Sequence, residues 1–480
     1  MISYDIIIIG AGPAGLALAY FLKSKNLKIL IVDRENSIGG CHRVRRVNIN
    51  DEELFTEHGP RIYLSSFINY IELLKDFGYD FNDLYKTDST LDTFKIIKEN
   101  LLPNISIKEV LALIYIFIIY LFNDNYGIYT TMHDFMISHS FSQKTYDFID
   151  KLCVATDGGN ARKYTLNKFL AGSDQNSFYK GYQPILPNDI GIFKIWKDNL
   201  KEVDFLLNTE IINITEKSII TKNNKIINGN KIILAVPPVN LIKILNNIPS
   251  EKIKNCFGDI KELNKWSEDT KYLYYITVVF HWDKKLILEE KASFATNTEW
   301  CIMQEILSNV MTFNNKSSKT VISCAITKRD IKSNRINKTA NECNKIELID
   351  EVYNQLLTKY INLPKPTFSV ISPGNYIKNN EWIDIDTAFI STANKFNYIP
   401  FQSKSIPSLY NLGTHNGYSL YKYTSIEAAI SNAKALALQL YPDLSEKYQI
   451  KAPLLTIKNV IYLLIIILII VILCFFIFKL

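Results

Sequence analysis

The chain has 480 residues, of which 48% are hydrophobic and 21% charged, and its net charge is +6. That length accommodates two or three domains of about 100–200 residues each. A charge this mild, with no long basic run or arginine-rich arm, argues against a nucleic-acid binder. Seven widely spaced cysteines without a C-x-x-C, and six histidines without ligand spacing, argue against a disulfide framework and against a metal site, and suit a reducing compartment.

Tyr4 to Ile9 is a short apolar run of β-branched residues and predicts a buried strand. With no basic n-region and with Asp5 interrupting the apolar start, no secretory signal is expected. Gly10-Ala11-Gly12-Pro13-Ala14-Gly15 follows at once, and Leu16 to Lys23 reads as a helix. A strand entering a helix through G-x-G-x-x-G is the dinucleotide fingerprint. Gly10 allows the tight turn, Gly12 lets a pyrophosphate approach the backbone, and Gly15 lets the helix lie close to the strand. The N–H groups at the helix start, Ala14 among them, face the phosphates. Leu27 to Val32 predicts a second strand. It ends in Asp33, 18 residues after Gly15, where a carboxylate for a ribose hydroxyl is expected. Arg34 and Gly40 join the candidate cofactor contacts.

Asp33 is followed six residues later by Gly39-Gly40, then Cys41-His42-Arg43. At this point the chain resembles the flavin-dependent amine oxidoreductase superfamily, which includes monoamine and polyamine oxidases, protoporphyrinogen oxidase, phytoene desaturases and, more distantly, UDP-galactopyranose mutase. In that pattern an arginine commonly follows Gly-Gly. Here Cys41 stands in its place, with Arg43 two positions on. Glu57-His58-Gly59-Pro60-Arg61 resembles the E-x-G-P-R segment of protoporphyrinogen-oxidase-like members, which lies against the isoalloxazine. The resemblance implies a close backbone approach at Gly59 and Pro60 and, at Arg61, either positive charge near the reduced flavin or a plain surface ion pair.

Residues 86 to 184 read as an inserted helical region. Ile107 to Phe122 is strongly apolar over 16 residues, either a core or interface helix or one facing a membrane. Tyr146 to Val154 and Leu166 to Ala171 suggest further helices, and Asp157 to Asn160 a turn. Ile192 to Leu200 predicts a helix; Val203 to Ile214 and Lys231 to Val236 predict strands. This stretch resembles the second nucleotide-domain block of the superfamily, which implies that Ile211 contacts the adenine through its backbone. Tyr272 to His281, Trp300 to Ile306 and Thr320 to Thr327 are candidate strands of an antiparallel substrate sheet. Glu347 to Tyr360 reads as a helix, and polar Lys332 to Asn344 as an exposed loop.

Asn411-Leu412-Gly413-Thr414-His415, leading into Thr424-Ser425-Ile426, resembles the closing motif of the superfamily. The resemblance implies that Gly413 meets the ribityl-phosphate side of the flavin. It also implies that a helix starting near Thr424, with Ile426 in its first turn, points its N–H groups at flavin N1 and O2. Thr414 replaces the usual acid; His415 either compensates or is a structural histidine. Val460 to Phe478 is 19 residues without charge, glycine or proline, about 28 Å as a helix and close to the ~30 Å hydrocarbon core. It reads as a single C-terminal membrane anchor, inserted after synthesis, with the catalytic part on the cytosolic side.

The expected fold class is α/β: a Rossmann-like FAD-binding domain from residues 1–85, 185–245 and 405–445, an α+β substrate domain from 86–184 and 246–404, a linker at 446–459 and a transmembrane helix at 460–478. The resemblance implies an FAD-dependent oxidoreductase that passes a hydride equivalent from a small-molecule substrate to flavin N5, with dioxygen or another acceptor reoxidising the flavin. With no S-G-G-C-Y-like segment for attachment, FAD is expected to be non-covalent. The anchor and the apolar inserted helix favour an apolar or membrane-borne substrate over a soluble amine. Tyr398, Tyr421 and Tyr423 are candidates for aromatic rings flanking the flavin, and no catalytic base is assigned. Alternatives are a redox-neutral enzyme of the sugar-nucleotide mutase type and a non-catalytic membrane-anchored flavoprotein scaffold.

Overall fold

The computed structural model describes residues 3–88, 97–157, 160–269, 272, 275–288, 296–386, 399–417, 419–422 and 424–477. Its organising element is a seven-stranded sheet. Four strands are parallel in the order Asp204–Leu206, Ile29–Val32, Ser3–Ile9 and Ile226–Leu234. The far side of Ile226–Leu234 is shared. Ser218–Thr221 pairs antiparallel with its first half and continues to Ile211–Ile214, while Leu409–Asn411 pairs parallel with its second half. The central strand is apolar throughout because both faces are covered. Ile6 and Ile8 pack on one side against the helices Pro13–Leu22 and Ile426–Leu440. Ile7 and Ile9 pack on the other, against Leu241, Leu245 and Trp266.

Several expected boundaries move. Val203 to Ile214 is not one strand: it breaks at Asn208, which is left-handed (φ 52°). There the N–H groups of Asn208 and Thr209 bond to the carbonyls of Glu35 and Asp33, so the chain crosses the end of the neighbouring strand. The strand expected at Lys231 to Val236 runs Ile226–Leu234. The helix expected near Thr424 starts at Ile426, with the Ser425 hydroxyl accepting from the Ala428 N–H.

The second sheet is antiparallel, in the order Met303–Ile306, Thr320–Ile326, Ile276–Trp282, Phe368–Ile371. Its Val278 and Phe280 face the helix Lys345–Leu357, and Val279 and Val321 face the hairpin strand Glu52–Thr56. The stretch from Lys332 to Asn344 is not simply an exposed loop. Ser333, Ala340 and Cys343 are buried, because its turns close over Trp300 and Trp382.

Between the sheets, Tyr63–Leu64, Gly181–Pro184 and Tyr85–Thr87 form a small antiparallel sheet at the root of the helical region. That region holds the helices Ile107–Phe122, Met132–Ser138, Gln143–Asp157 and Leu166–Asn176 around one apolar core. Ile107–Phe122 begins where the sequence predicts, because Ser106 and Glu109 form a reciprocal capping box. The last helix, Ile457–Ile477, is long and apolar enough to cross a membrane, and it is exposed from Tyr462 to Phe475.

Candidate functional site

The glycine loop is shaped by backbone contacts. Gly10 has φ +118°, and a Cβ there would sit 2.2 Å from the Ala235 carbonyl oxygen. A Cβ on Gly15 would lie 2.1 Å from the Gly10 carbonyl oxygen, so the helix Pro13–Leu22 rests directly on the turn. Gly12 differs. Its φ is −81° and a Cβ would come only to 3.7 Å from Gly40 Cα, so the packing of the chain itself does not require glycine there. No side chain caps the helix that follows. Its first free N–H, that of Ala14 after Pro13, therefore borders the cavity as an uncapped positive end. Gly40 (φ +56°) faces Gly12 across the cleft.

Asp33 accepts from the N–H of Ala11 (2.7 Å) and of Glu35 (2.9 Å), which ties the acid to the glycine loop. Each oxygen keeps further acceptor capacity. Arg34 lies at the rim, 3.4 Å from Glu35 and nearly half exposed. Arg43 is buried and braces the Gly-Gly turn: it donates to the Ser37 carbonyl at 2.8 and 3.0 Å and to Asp386 at 3.2 Å. Arg45 binds both oxygens of Asp386 (2.5 and 2.9 Å) and also Glu35 (3.0 Å). Burial alone would raise the Asp386 carboxyl, but Arg45, Arg43 and His58 together hold it below the ordinary range.

In the Glu57 to Arg61 segment the side chains point to different tasks. The Arg61 guanidinium donates to the Cys41 carbonyl, bridging this segment to the turn where the sequence lacks the usual arginine. Arg61, Pro60, His42 and His58 line the cavity. Gly59 does not. Its close approach is to the Tyr275 ring, which a Cβ on Gly59 would meet at 3.0 Å. Burial pushes the Glu57 carboxyl up to about 7, with Ser323 and Arg61 opposing. Burial, with Arg61 and His58 adding to it, holds His42 well below the ordinary histidine value and therefore neutral. His58 Nδ1 lies 2.5 Å from Asp384 Oδ2, both side chains fully buried. Its Nε2 has no hydrogen-bond partner among the described residues.

The closing motif supplies the third wall. Gly413 N–H donates to Asn416 Oδ1 (2.7 Å), and its carbonyl accepts from Asn432 (3.0 Å). Glycine is needed there because a Cβ would strike the His415 ring at 2.5 Å. His415 lies beneath it, bonded to Asn411 (2.6 Å), and burial lowers it to about 3. It borders the cavity beside Thr414, held in place by the Asn411 contact. Gly413, Thr414 and Ile426 line the cavity, as does Ile211.

These blocks line one cavity of about 550 Å³. Gly10, Gly12, Ala14, Asp33, Arg34, Gly40, Pro60, Arg61, Ile211, Gly413, Thr414 and Ile426 border it; Gly15 and Gly59 stand behind the wall. The cavity continues into the helical region, where Leu101, Leu113, Phe148, Leu152 and Phe169 give it an apolar arm. Of the aromatic candidates, Tyr398 and Tyr423 lie outside the described residues. Tyr421 is buried directly behind the cavity wall, donating to Asn176 (2.6 Å) and packing edge-on against Phe67, both of which line the cavity. Sequence reasoning missed Asp384, Tyr275 and Lys168, whose ammonium donates to Thr424 at 3.0 Å. Only the fold brings these residues to the site.

Residues 8–77 match the family of NAD(P)-binding Rossmann-like domains. A stretch of 76 residues is 36% identical to the UDP-galactopyranose mutase of Mycoplasma genitalium. It covers 16% of this chain and 18% of that protein, so the chain matches less than a fifth of that relative's length. Solved structures match over nearly the whole chain. Putrescine oxidase bound to putrescine superposes with a TM-score of 0.61 at 12% identity, over 92% of this chain and 99% of that one. Cyclohexylamine oxidase from Brevibacterium oxydans gives 0.60 at 12% identity, over 91% and 99%. Identities this low establish a shared fold.

Proposed function

We propose that the chain, which carries the fold of the flavin amine oxidoreductases, is an FAD-dependent oxidoreductase that takes a hydride equivalent from a C–H bond of an organic substrate. One observation carries the reading: three groups of residues far apart in sequence, Gly10 to Ala14, Pro60–Arg61, and Gly413 and Thr414 with Thr424 to Ile426, border a single cavity. The residues suit the cofactor. Gly12 keeps open a space that the chain's own packing leaves unfilled, beside an uncapped helix start that attracts a pyrophosphate. FAD occupies the domain assembled from 1–85, 185–245 and 405–445. It is held without a covalent bond; burial pushes the Cys41 thiol up and away from its thiolate form.

Bound FAD supplies a two-electron acceptor. The chain does the rest. The positive end of the helix Ile426–Leu440, together with Arg61, favours the negative charge that reduction brings. His58, 2.5 Å from Asp384, lines the same cavity and is the group placed to exchange a proton with the substrate. The apolar arm excludes water and selects an apolar or membrane-borne substrate. Dioxygen or another acceptor takes the electrons on. The helix Ile457–Ile477 anchors the protein to a membrane, with the catalytic part on its cytosolic side.

Purified protein is expected to be yellow. A visible absorbance scan with a panel of amines, polyenes and porphyrinogens should show bleaching by one class, then recovery in air. No bleaching by any of them would overturn the oxidoreductase reading. The match to UDP-galactopyranose mutase favours a second reading, a redox-neutral enzyme acting on a sugar nucleotide. It predicts that a UDP-sugar perturbs the spectrum only after the flavin has been reduced chemically.

A further inference from the structure

The helix Ile107–Phe122 buries one side in the helical region and leaves the other uncovered. Ile107, Leu111, Ile114, Tyr115, Ile118 and Phe122 are 48–81% exposed. At about 100° per residue these six positions fall within an arc of roughly 100°, along about 22 Å of helix. No charged residue lies within the arc. An apolar stripe this long is not left to water in a soluble domain.

Its place in the fold points to what covers it. The C-terminal helix leaves the body beside the Phe122 end. The Tyr462 hydroxyl donates to the Leu121 carbonyl, the Lys458 ammonium pairs with Asp124, and the Lys458 N–H donates to Asp174 at 2.7 Å. Both exposed apolar helices therefore meet at one point, where the span begins. We propose that Ile107–Phe122 lies along the membrane interface as a second contact with the bilayer, its outer stripe in the acyl boundary. The proposal rests on reading Ile457–Ile477 as a membrane span. The same helix supplies Leu113 to the apolar arm of the cavity. Docking brings that arm within about one helix diameter, ~10 Å, of lipid.

The five native tryptophans are at most 3% exposed, so an added one reports its own surroundings. Full-length holoprotein is reconstituted into phosphatidylcholine–phosphatidylglycerol vesicles, with or without brominated acyl chains. Three single variants are compared: Tyr115→Trp on the stripe, Leu468→Trp in the span, and Ile346→Trp, an exposed apolar position on the substrate-sheet helix. Brominated lipid is expected to quench the emission added at 115 and 468 at least twofold and to leave that at 346 unchanged. Adding Ile114→Asp and Ile118→Asp to Tyr115→Trp should abolish the quenching at 115. Quenching at 468 without quenching at 115 would overturn the second contact and leave the anchor standing. Absence at both would overturn the anchor as well. Protection of 115 from an aqueous quencher without quenching by lipid would mean that a second copy of the chain covers the stripe, and would also overturn the proposal.

Discussion

The two walls of the cavity are built from different materials. On the cofactor side the surface is backbone: Gly10, Gly40 and Gly413 are set by positive φ angles or by contacts that a Cβ would violate, while Gly12 is free of both constraints. On the far side it is side chain: Leu113, Phe148, Leu152 and Phe169, on helices that pack around their own core. The first wall tolerates almost no change, because carbonyl oxygens and peptide planes cannot move aside. The second can be rebuilt with any apolar residues of similar volume. A cavity built this way can keep one wall fixed while the other varies.

The sharpest test of that contrast lies at Gly15. Gly15→Val drives a side chain into the Gly10 carbonyl with no flexible neighbour to yield. It is expected to cost more than about 5 kcal/mol, the whole stability of a marginal domain, and to give no folded protein by circular dichroism. Gly12→Val should behave differently. It is expected to fold within about 1 kcal/mol of the parent in denaturant titration, yet to purify colourless, since its Cβ makes only an ordinary 3.7 Å contact with Gly40 Cα on the protein side. Full flavin occupancy in that variant would remove the distinction between the two glycines.

Glu57 tests the wall through pH. Its carboxyl ordinarily titrates at 4.5 and is raised to about 7 by burial. Below about pH 4.5 both folded and unfolded chains hold the proton and burial carries no penalty. As pH rises towards 7 the unfolded chain releases its proton first, so stability falls by about 3 kcal/mol and then levels off. Glu57→Gln should lose that dependence. Relative to the parent its melting temperature should therefore rise between pH 4.5 and pH 7.5, and a constant difference would contradict the raised value. On the apolar wall, Leu113→Ala should lower stability by about 1–2 kcal/mol and leave flavin content untouched. The smallest effect is expected at Ile211, where Ile211→Leu should change neither flavin content nor stability by more than about 1 kcal/mol.

What is legible in the sequence follows the same division. Gly10, Gly15 and Asp33 can be read from spacing because the turn, the helix–strand approach and the strand end impose residue types on the chain locally. Ile107–Phe122 can be read to the residue because its capping box and apolar run are local as well. The Glu427 carboxylate cannot be read. It accepts from the Asn69 and Tyr70 N–H groups and so caps the start of the helix Ile68–Asp76, some 350 residues away in sequence. Tyr421 is misread because an aromatic ring looks the same in sequence whether it faces a ligand or the core. The strand expected over Val203 to Ile214 fails because its break is made by bonds to Asp33 and Glu35, which no local pattern records.

By itself the sequence determined the glycine-rich turn, its acid, the two motifs that resemble those of flavoproteins, and the apolar tail, since each is a constraint between neighbours along the chain. Tertiary structure alone decided that Asp384 comes within 2.5 Å of His58, that Arg61 reaches the Cys41 carbonyl, and that the stripe on Ile107–Phe122 stays uncovered beside the last helix. Those relations depend on distances between segments hundreds of residues apart, and only packing sets such distances.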